Sequence, residues 1–310
     1  MSFSSQYNLL VILGPTASGK TGLGVKLARH YQGEILSADS RQVFKGMDLG
    51  SGKDLEEYGE IAYHLINLVE PGSDYSVFHY QQDFFSAYQD ICHRQKLPIM
   101  VGGTGLYIDA ITQNFALKEV PINHTLRESL KELSLEQLQE KLLALKPEQH
   151  NNTDLIVRPR LVRAIEIALG EKEPVEPVSY AQIKPLILGI QWPRSELRAR
   201  ITERLKERFK QGMLEEVEAL HQQGVSFERL EFFGLEYRLI AQHLKGELNY
   251  NDMFQKLNSQ IHQFAKRQDT WFRKMQRRGD NIHWLDAHQD LMQQACTVID
   301  QFSFESPEIL

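Results

Sequence analysis

The sequence is poor in cysteine. Cys92 and Cys296 stand far apart, at no disulfide or metal-ligand spacing, which excludes a disulfide-stapled fold and a zinc finger. No apolar run approaches the roughly 18 residues that cross a bilayer, and no basic segment leads into a long apolar one near residue 1. No membrane contact is expected, and a cytoplasmic location is. Positive charge is also short: 35 Lys and Arg stand against 41 Asp and Glu, for a net charge of −6. A general nucleic-acid coat is thereby disfavoured, and any such contact must be a local patch. No internal repeat or low-complexity tract appears. What remains is an ordinary globular composition, 42% hydrophobic and 25% charged over 310 residues, enough for one large domain or two.

The informative stretch comes early. Tyr7–Leu13 reads as a buried strand that breaks into Gly14-Pro15-Thr16-Ala17-Ser18-Gly19-Lys20-Thr21. This matches G-x-x-x-x-G-K-[ST], the phosphate-binding P-loop. Glycines at both ends let the backbone curl so that several N–H groups face one anion, and the helix expected over Thr21–Arg29 adds its positive end. Lys20 supplies a point charge and Thr21 a hydroxyl suited to Mg²⁺. A di- or triphosphate is the expected ligand of Gly14, Thr16, Ala17, Ser18, Gly19, Lys20 and Thr21.

Strands then alternate with helices. Glu34–Ser37 is a strand that stops at Ala38-Asp39-Ser40, and Tyr63–Val69 is a third, closed by Glu70-Pro71-Gly72. Val77–Arg94 is helical, and Leu97–Val101 is a strand running into Gly102-Gly103-Thr104-Gly105. This order predicts an α/β fold, a P-loop NTPase-like, doubly wound parallel sheet whose ligands sit at the carboxyl ends of the strands. Asp39 falls on that rim, as a functional carboxylate or merely as a helix cap. From about residue 117 the chain becomes helix-prone and charged, which predicts a helical insertion domain over 117–184 between a core of 1–116 and its completion over 185–310. Within it, Pro159–Leu169 is a helix carrying Arg163, and Lys172–Pro185 is a connector. Pro185–Trp192 returns to the sheet. Ser195–Gln223 reads as one long helix with Arg200, Arg204 and Arg208 in a row. Asn258–Arg278 reads as another, its inward face including Ile261, Phe264, Gln268, Trp271 and Phe272. Lys266, Arg267, Arg273, Lys274, Arg277 and Arg278 crowd the rest of that surface, a one-signed stripe that suits a polyanion. Asn281–Leu285 is a last strand, and the tail from Ser303 is expected to fray.

Taken together these segments resemble the tRNA dimethylallyltransferases, or isopentenylpyrophosphate transferases. The resemblance rests on Gly14–Thr21, Ala38–Phe44 (ADSRQVF), Lys45–Asp48 (KGMD), His64–Ile66, Tyr75–Val77, Leu97–Tyr107 (LPIMVGGTGLY), Arg163–Glu166 (RAIE) and Ala265–Arg273 (AKRQDTWFR), in the family's order over most of the chain. It implies transfer of a dimethylallyl group from its diphosphate to the exocyclic amine of the adenosine 3′ of a tRNA anticodon, with Mg²⁺ alongside. Asp39 matches the family's general base, Thr104 a residue near the reacting centre, and Arg204 the diphosphate-binding arginine, with Arg200 one turn away as the alternative. Ser40, Gln42, Arg163, Lys266, Arg267, Gln268, Arg273, Lys274 and Arg277 fall to the tRNA side. A monomer is expected.

Three segments depart from the family's pattern. Phe233–Tyr237 replaces Ile-Gly-Tyr-Lys/Arg and loses a basic residue. Asn151–Asp154 replaces His-Pro-Asn-Asp, and Gly50–Asp54 replaces Gly-Thr-Ala-Lys-Pro. Other readings stay open: prenylation of a free adenine nucleotide, a P-loop small-molecule kinase using Glu70 after Ile66–Val69, and a nucleotide-dependent switch or inactive RNA-binding relative.

Overall fold

Strand β1 (Leu9–Leu13) is buried at every residue, because parallel partners flank it and helices cover both faces. The structure, a computed structural model, describes residues 7–147, 153–170, 180–302 and 304. Asn151 and Asn152, most of the Lys172–Pro185 connector and most of the tail from Ser303 lie outside them. With β2 (Gly33–Ala38), β3 (Tyr63–His64), β4 (Leu97–Gly102), β5 (Pro185–Gln191) and β6 (Ile282–Asp286), β1 forms a six-stranded parallel sheet in the order β3-β2-β4-β1-β5-β6.

Alternation along β1 divides the core. Leu9, Val11 and Leu13 point to one side, with Tyr80, Phe84, Phe85 and Tyr88 of α2 (Val77–His93) and Ile108 and Ile111 of α3 (Gly105–Thr112). Leu10 and Ile12 point to the other, with Leu23, Val25 and Leu27 of α1 (Lys20–Tyr31). The sheet is therefore doubly wound.

Residues 116–179 form a separate compact unit, distinct from the one made by 1–115 and 180–310. Its helices are α4 (His124–Leu130), α5 (Leu135–Leu145), α6 (Thr153–Ile156) and α7 (Arg158–Gly170). Leu130, Leu138, Leu142, Leu161 and Ile165 close a small core of their own. Residues 180–184, placed with the insertion on sequence grounds, belong to the larger unit, where Asn8 bonds the carbonyl of Gln182 and the amide of Lys184.

In the larger unit α8 (Arg194–Lys210), α9 (Met213–Gln222), α10 (Phe227–Phe232), α11 (Leu235–Leu244) and α12 (Tyr250–Arg278) pack as a helical layer, and α13 (Leu291–Ile299) follows β6. The single helix expected over Ser195–Gln223 is two. Gly212 takes φ 101°, a left-handed value that costs little only without a Cβ and that breaks the α-helical ladder. The strand expected over Tyr63–Val69 shrinks to two residues, because Leu65 and Asn67 both have positive φ and leave the extended conformation that pairing requires. Helix α12 begins eight residues before the predicted start, capped by the Asn249 side chain on the Asp252 amide. Its Met253, Leu257, Ile261, Ala265, Gln268, Phe272 and Met275 are buried, while Phe264, expected inside, is 37% exposed under Arg267.

Candidate active site at the carboxyl ends of the strands

Register brings three loops together. Leu13 and Ala38 both pair with Gly102, so the loops leaving β1, β2 and β4 lie side by side on one rim. The P-loop leaves β1, Asp39 leaves β2, and Gly103-Thr104 leaves β4.

The P-loop is held from outside by its carbonyls. Lys20 Nζ donates to Pro15 O at 3.3 Å, Arg200 Nε to Ala17 O at 3.0 Å, and Trp192 Nε1 to Ser18 O at 3.0 Å. Ala17 and Gly19 take positive φ, 62° and 89°, which curls the backbone. The first amides of α1 have no intrahelical acceptor, so they are left to meet an anion. Ser18 Oγ is buried with no hydrogen-bond partner, an orphaned polar atom inside the loop. Arg200 is exposed and lies over the Trp192 ring at 4.3 Å. It holds the loop's outer side.

Arg204, one turn along α8, lines a cavity together with Thr16, Ile201, Arg208, Met213 and Glu236. Burial lowers the Lys20 ammonium to a pKa of about 8, and the charge of Arg204 pushes in the same direction. Two acids oppose this, Asp39 first and then Asp54, and the second also meets the guanidiniums. Asp54 pairs with Arg204 and, at 3.4 Å, with Arg208. Burial pushes its carboxyl up, but the two guanidiniums outweigh this and hold it below its ordinary range. Burial lowers Arg208 and raises Glu57 and Glu236. Asp54 ends a pinned loop. Glu216 accepts the amides of Asp48, Leu49 and Gly50, and buried Lys53 donates to Phe44 O, Asp48 and Asn67.

On the β2 side, Asp39 Oδ1 accepts the Arg41 amide at 2.9 Å, and Thr104 Oγ1 accepts the Ser40 amide at 3.1 Å. The Thr104 hydroxyl keeps its own hydrogen for donation. Gln42 and Gln268, read from sequence on the tRNA side, are buried. Gln42 donates to Gly52 O and accepts from Ser37. Gln268 accepts the Thr16 amide and donates to Gly103 O, both at 2.9 Å. Burial and these bonds commit both amides to joining loops, so neither side chain presents itself to RNA. A Cβ at residue 103 would fall 2.4 Å from Gln268 Nε2, so that approach requires glycine.

The arrangement is an anion cradle of amides, a half-buried ammonium and two guanidiniums, with a carboxylate and a hydroxyl beside it. The chain matches the IPP transferase family model over residues 42–275, and an isopentenyl transferase model over residues 7–61. The chain belongs to the IPP transferase family. It is 61% identical to tRNA dimethylallyltransferase 2 of Syntrophotalea carbinolica, over 92% of this chain and 96% of that one. Identity is 58% to tRNA dimethylallyltransferase 1 of Geotalea daltonii, over 97% of each. Among solved structures, the tRNA isopentenylpyrophosphate transferase of Bacillus halodurans is 28% identical, covers 95% of each chain and superposes with a TM-score of 0.70. These relatives are prenyl-transferring enzymes, and this chain is a transferase of that family with the P-loop NTPase-like fold.

Within the family frame the remaining predicted residues separate. Arg163 lies in the 116–179 unit, where it holds Glu166 and the Val120 carbonyl. Its guanidinium serves that unit's own packing rather than standing open to RNA. Lys266, Arg267, Arg273, Lys274 and Arg277 are exposed along α12. Arg278 leaves the stripe, because it pairs with Asp109 and Asp280. Sequence reasoning missed Asp54, Arg208, Glu216 and Trp192 as site-building residues. Asp54 and Glu236 were visible as departures from the family pattern, and Arg208 as the third arginine of its row. For Glu216 and Trp192 no sequence signal existed. No group of three His, Cys, Asp or Glu among the described residues could hold a metal. The Thr21 hydroxyl, at the start of α1, is the group that would hold Mg²⁺ together with a bound ligand's phosphates. No helix among the described residues is long and apolar enough to cross a membrane.

Proposed function

We propose that this chain transfers a dimethylallyl group from dimethylallyl diphosphate to the exocyclic amine of the adenosine 3′-adjacent to the anticodon in tRNA. The observation that carries the reading is the register at Gly102, which sets the P-loop, Asp39 and Thr104 on one rim. The donor's diphosphate lies in the P-loop, on the first amides of α1, Lys20 and Arg204. Its allylic carbon then points toward Asp39 and Thr104.

The chemistry follows from where charge develops. As the allylic C–O bond breaks, positive charge builds on carbon and negative charge on the departing diphosphate. Fixed cations and amides stabilise that negative charge where it forms. Mg²⁺, held by Thr21 and the phosphates, would add to this neutralisation when bound. The amine nitrogen forms the new C–N bond, and only then does its proton become acidic enough for a carboxylate to take. Asp39 accepts that proton, and diphosphate leaves. The acceptor base is stacked in its loop and must be turned outward to reach the rim.

Labelled dimethylallyl diphosphate and ATP, each offered with bulk tRNA, with AMP or with no acceptor, test the reading. Label from the prenyl donor should enter tRNA alone. Label in AMP would favour a free-nucleotide prenyltransferase, and phosphate transfer from ATP a kinase.

A further inference from the structure

Phe232 closes α10 with its ring 61% exposed. Its neighbour Phe233 is buried, packed on Phe44 at 4.7 Å and on Tyr237 at 6.2 Å, so the backbone that carries Phe232 is anchored. A single exposed aromatic needs no explanation by itself. This one has two guanidiniums against it. Arg229 Cζ lies 5.0 Å from the ring centroid and Arg41 Cζ 5.9 Å. Arg229 is fixed by the carbonyls of Pro71 and Ser73 and by Asp74. Arg41 belongs to the turn after β2, and its amide donates to Asp39. The ring is therefore linked to the turn that carries Asp39 through the length of one arginine side chain.

An exposed ring with guanidiniums lying over it suits a ligand that is itself flat, aromatic and attached to phosphates. A nucleobase of a single-stranded loop meets that description. Turning the reacting adenosine outward breaks its stacking on both loop neighbours, and an anchored, exposed ring on this side of the molecule can replace one of those stacking partners. We propose that Phe232 is a stacking platform for a nucleotide adjoining the reacting adenosine, with Arg41 on the flanking phosphate and Arg229 holding the ring in place. The proposal rests on the tRNA-prenylation reading above.

The test uses the whole enzyme, Phe232→Ala and Phe232→Trp, and a tRNA anticodon stem-loop. Companion stem-loops carry an abasic sugar on one side or the other of the target adenosine. Because the side chain is exposed, its removal should not unfold the protein, and a thermal melt checks this. Phe232→Ala should raise KM for the stem-loop about tenfold, the order expected for removing one base–aromatic stack. KM for dimethylallyl diphosphate should stay unchanged, and kcat at saturating RNA should stay within about twofold. Phe232→Trp should behave like the wild type. On one abasic stem-loop, wild type and Phe232→Ala should become equal. An unchanged KM for RNA in Phe232→Ala would overturn the platform, as would a full loss that persists on both abasic substrates. A wild type that prenylates no RNA would instead overturn the functional reading, a separate and recognisable result.

Discussion

Gln268 and Thr16 meet across 252 residues of sequence: the glutamine's Oε1 accepts the threonine amide at 2.9 Å. Its Nε2 bonds Gly103 O, so one buried side chain of α12 ties the P-loop to the loop after β4. Donor and acceptor halves of the rim are thereby fixed relative to each other. Gln268→Ala leaves a buried N–H and C=O unpaired and should cost about 1–3 kcal/mol of stability, read from chemical denaturation. Single-turnover prenyl transfer should slow while tRNA affinity stays near wild type, since the side chain is buried away from RNA. Weakened tRNA binding with an unchanged transfer rate would contradict this placement.

Lys20 makes donor binding pH-dependent. Burial and Arg204 lower its pKa to about 8, so the empty site loses that positive charge as pH rises through this value. Diphosphate favours the charged form and raises the pKa on binding. Affinity for inorganic pyrophosphate should therefore fall as pH rises above about 8, and binding there should take up a proton. Calorimetry in two buffers of different ionisation enthalpy measures that proton. In Arg204→Gln one like charge is gone, and the alkaline limb should move to higher pH.

Asp54 occupies Arg204 and Arg208 with a carboxylate of the protein's own. A diphosphate reaching those guanidiniums competes with it. Asp54→Asn removes the internal competitor and should tighten pyrophosphate about tenfold, in line with hydrogen bonds to charged groups. Weaker binding in Asp54→Asn would mean that the carboxylate presents the arginines and does not compete for them.

The exposed cations of α12 should act through salt-dependent attraction to the RNA backbone. Lys266, Arg273 and Arg277 replaced together by Gln should lower the slope of log tRNA affinity against log salt by about 0.7–0.9 for each phosphate that is no longer neutralised. Prenyl transfer within already bound tRNA should persist. An unchanged slope would place the RNA elsewhere.

Much of this architecture was legible because local rules and global fold agree. The Val11–Thr21 stretch announces strand, loop and helix at once, and strand–helix alternation dictates a parallel sheet whose strand ends carry Asp39 and Thr104. What escaped depends on long-range packing. Periodicity puts Gln268 on the inward face of its helix, but its partners Thr16 and Gly103 lie 252 and 165 residues away and leave no local trace. Arg200 and Arg204 are one helical turn apart and chemically identical, and only packing turns one to the outside of the P-loop and the other into the cavity. The Ser195–Gln223 pattern keeps its four-residue spacing through residue 213, so periodicity outvoted the glycine that ends the helix. Tyr63–Val69 has strand composition, yet positive φ at Leu65 and Asn67 turns the chain so that Val69 bridges to Phe44.

The central claim is that Asp39 takes the proton from the acceptor amine while the P-loop holds the departing diphosphate. Single-turnover transfer with Asp39→Asn tests it most directly, because asparagine keeps the shape and can still accept the Arg41 amide. The expected result is tRNA and dimethylallyl diphosphate affinities near wild type and a chemical step slower by about 10²–10⁴-fold. A wild-type single-turnover rate in Asp39→Asn would contradict the claim and reduce Asp39 to a cap on the turn after β2.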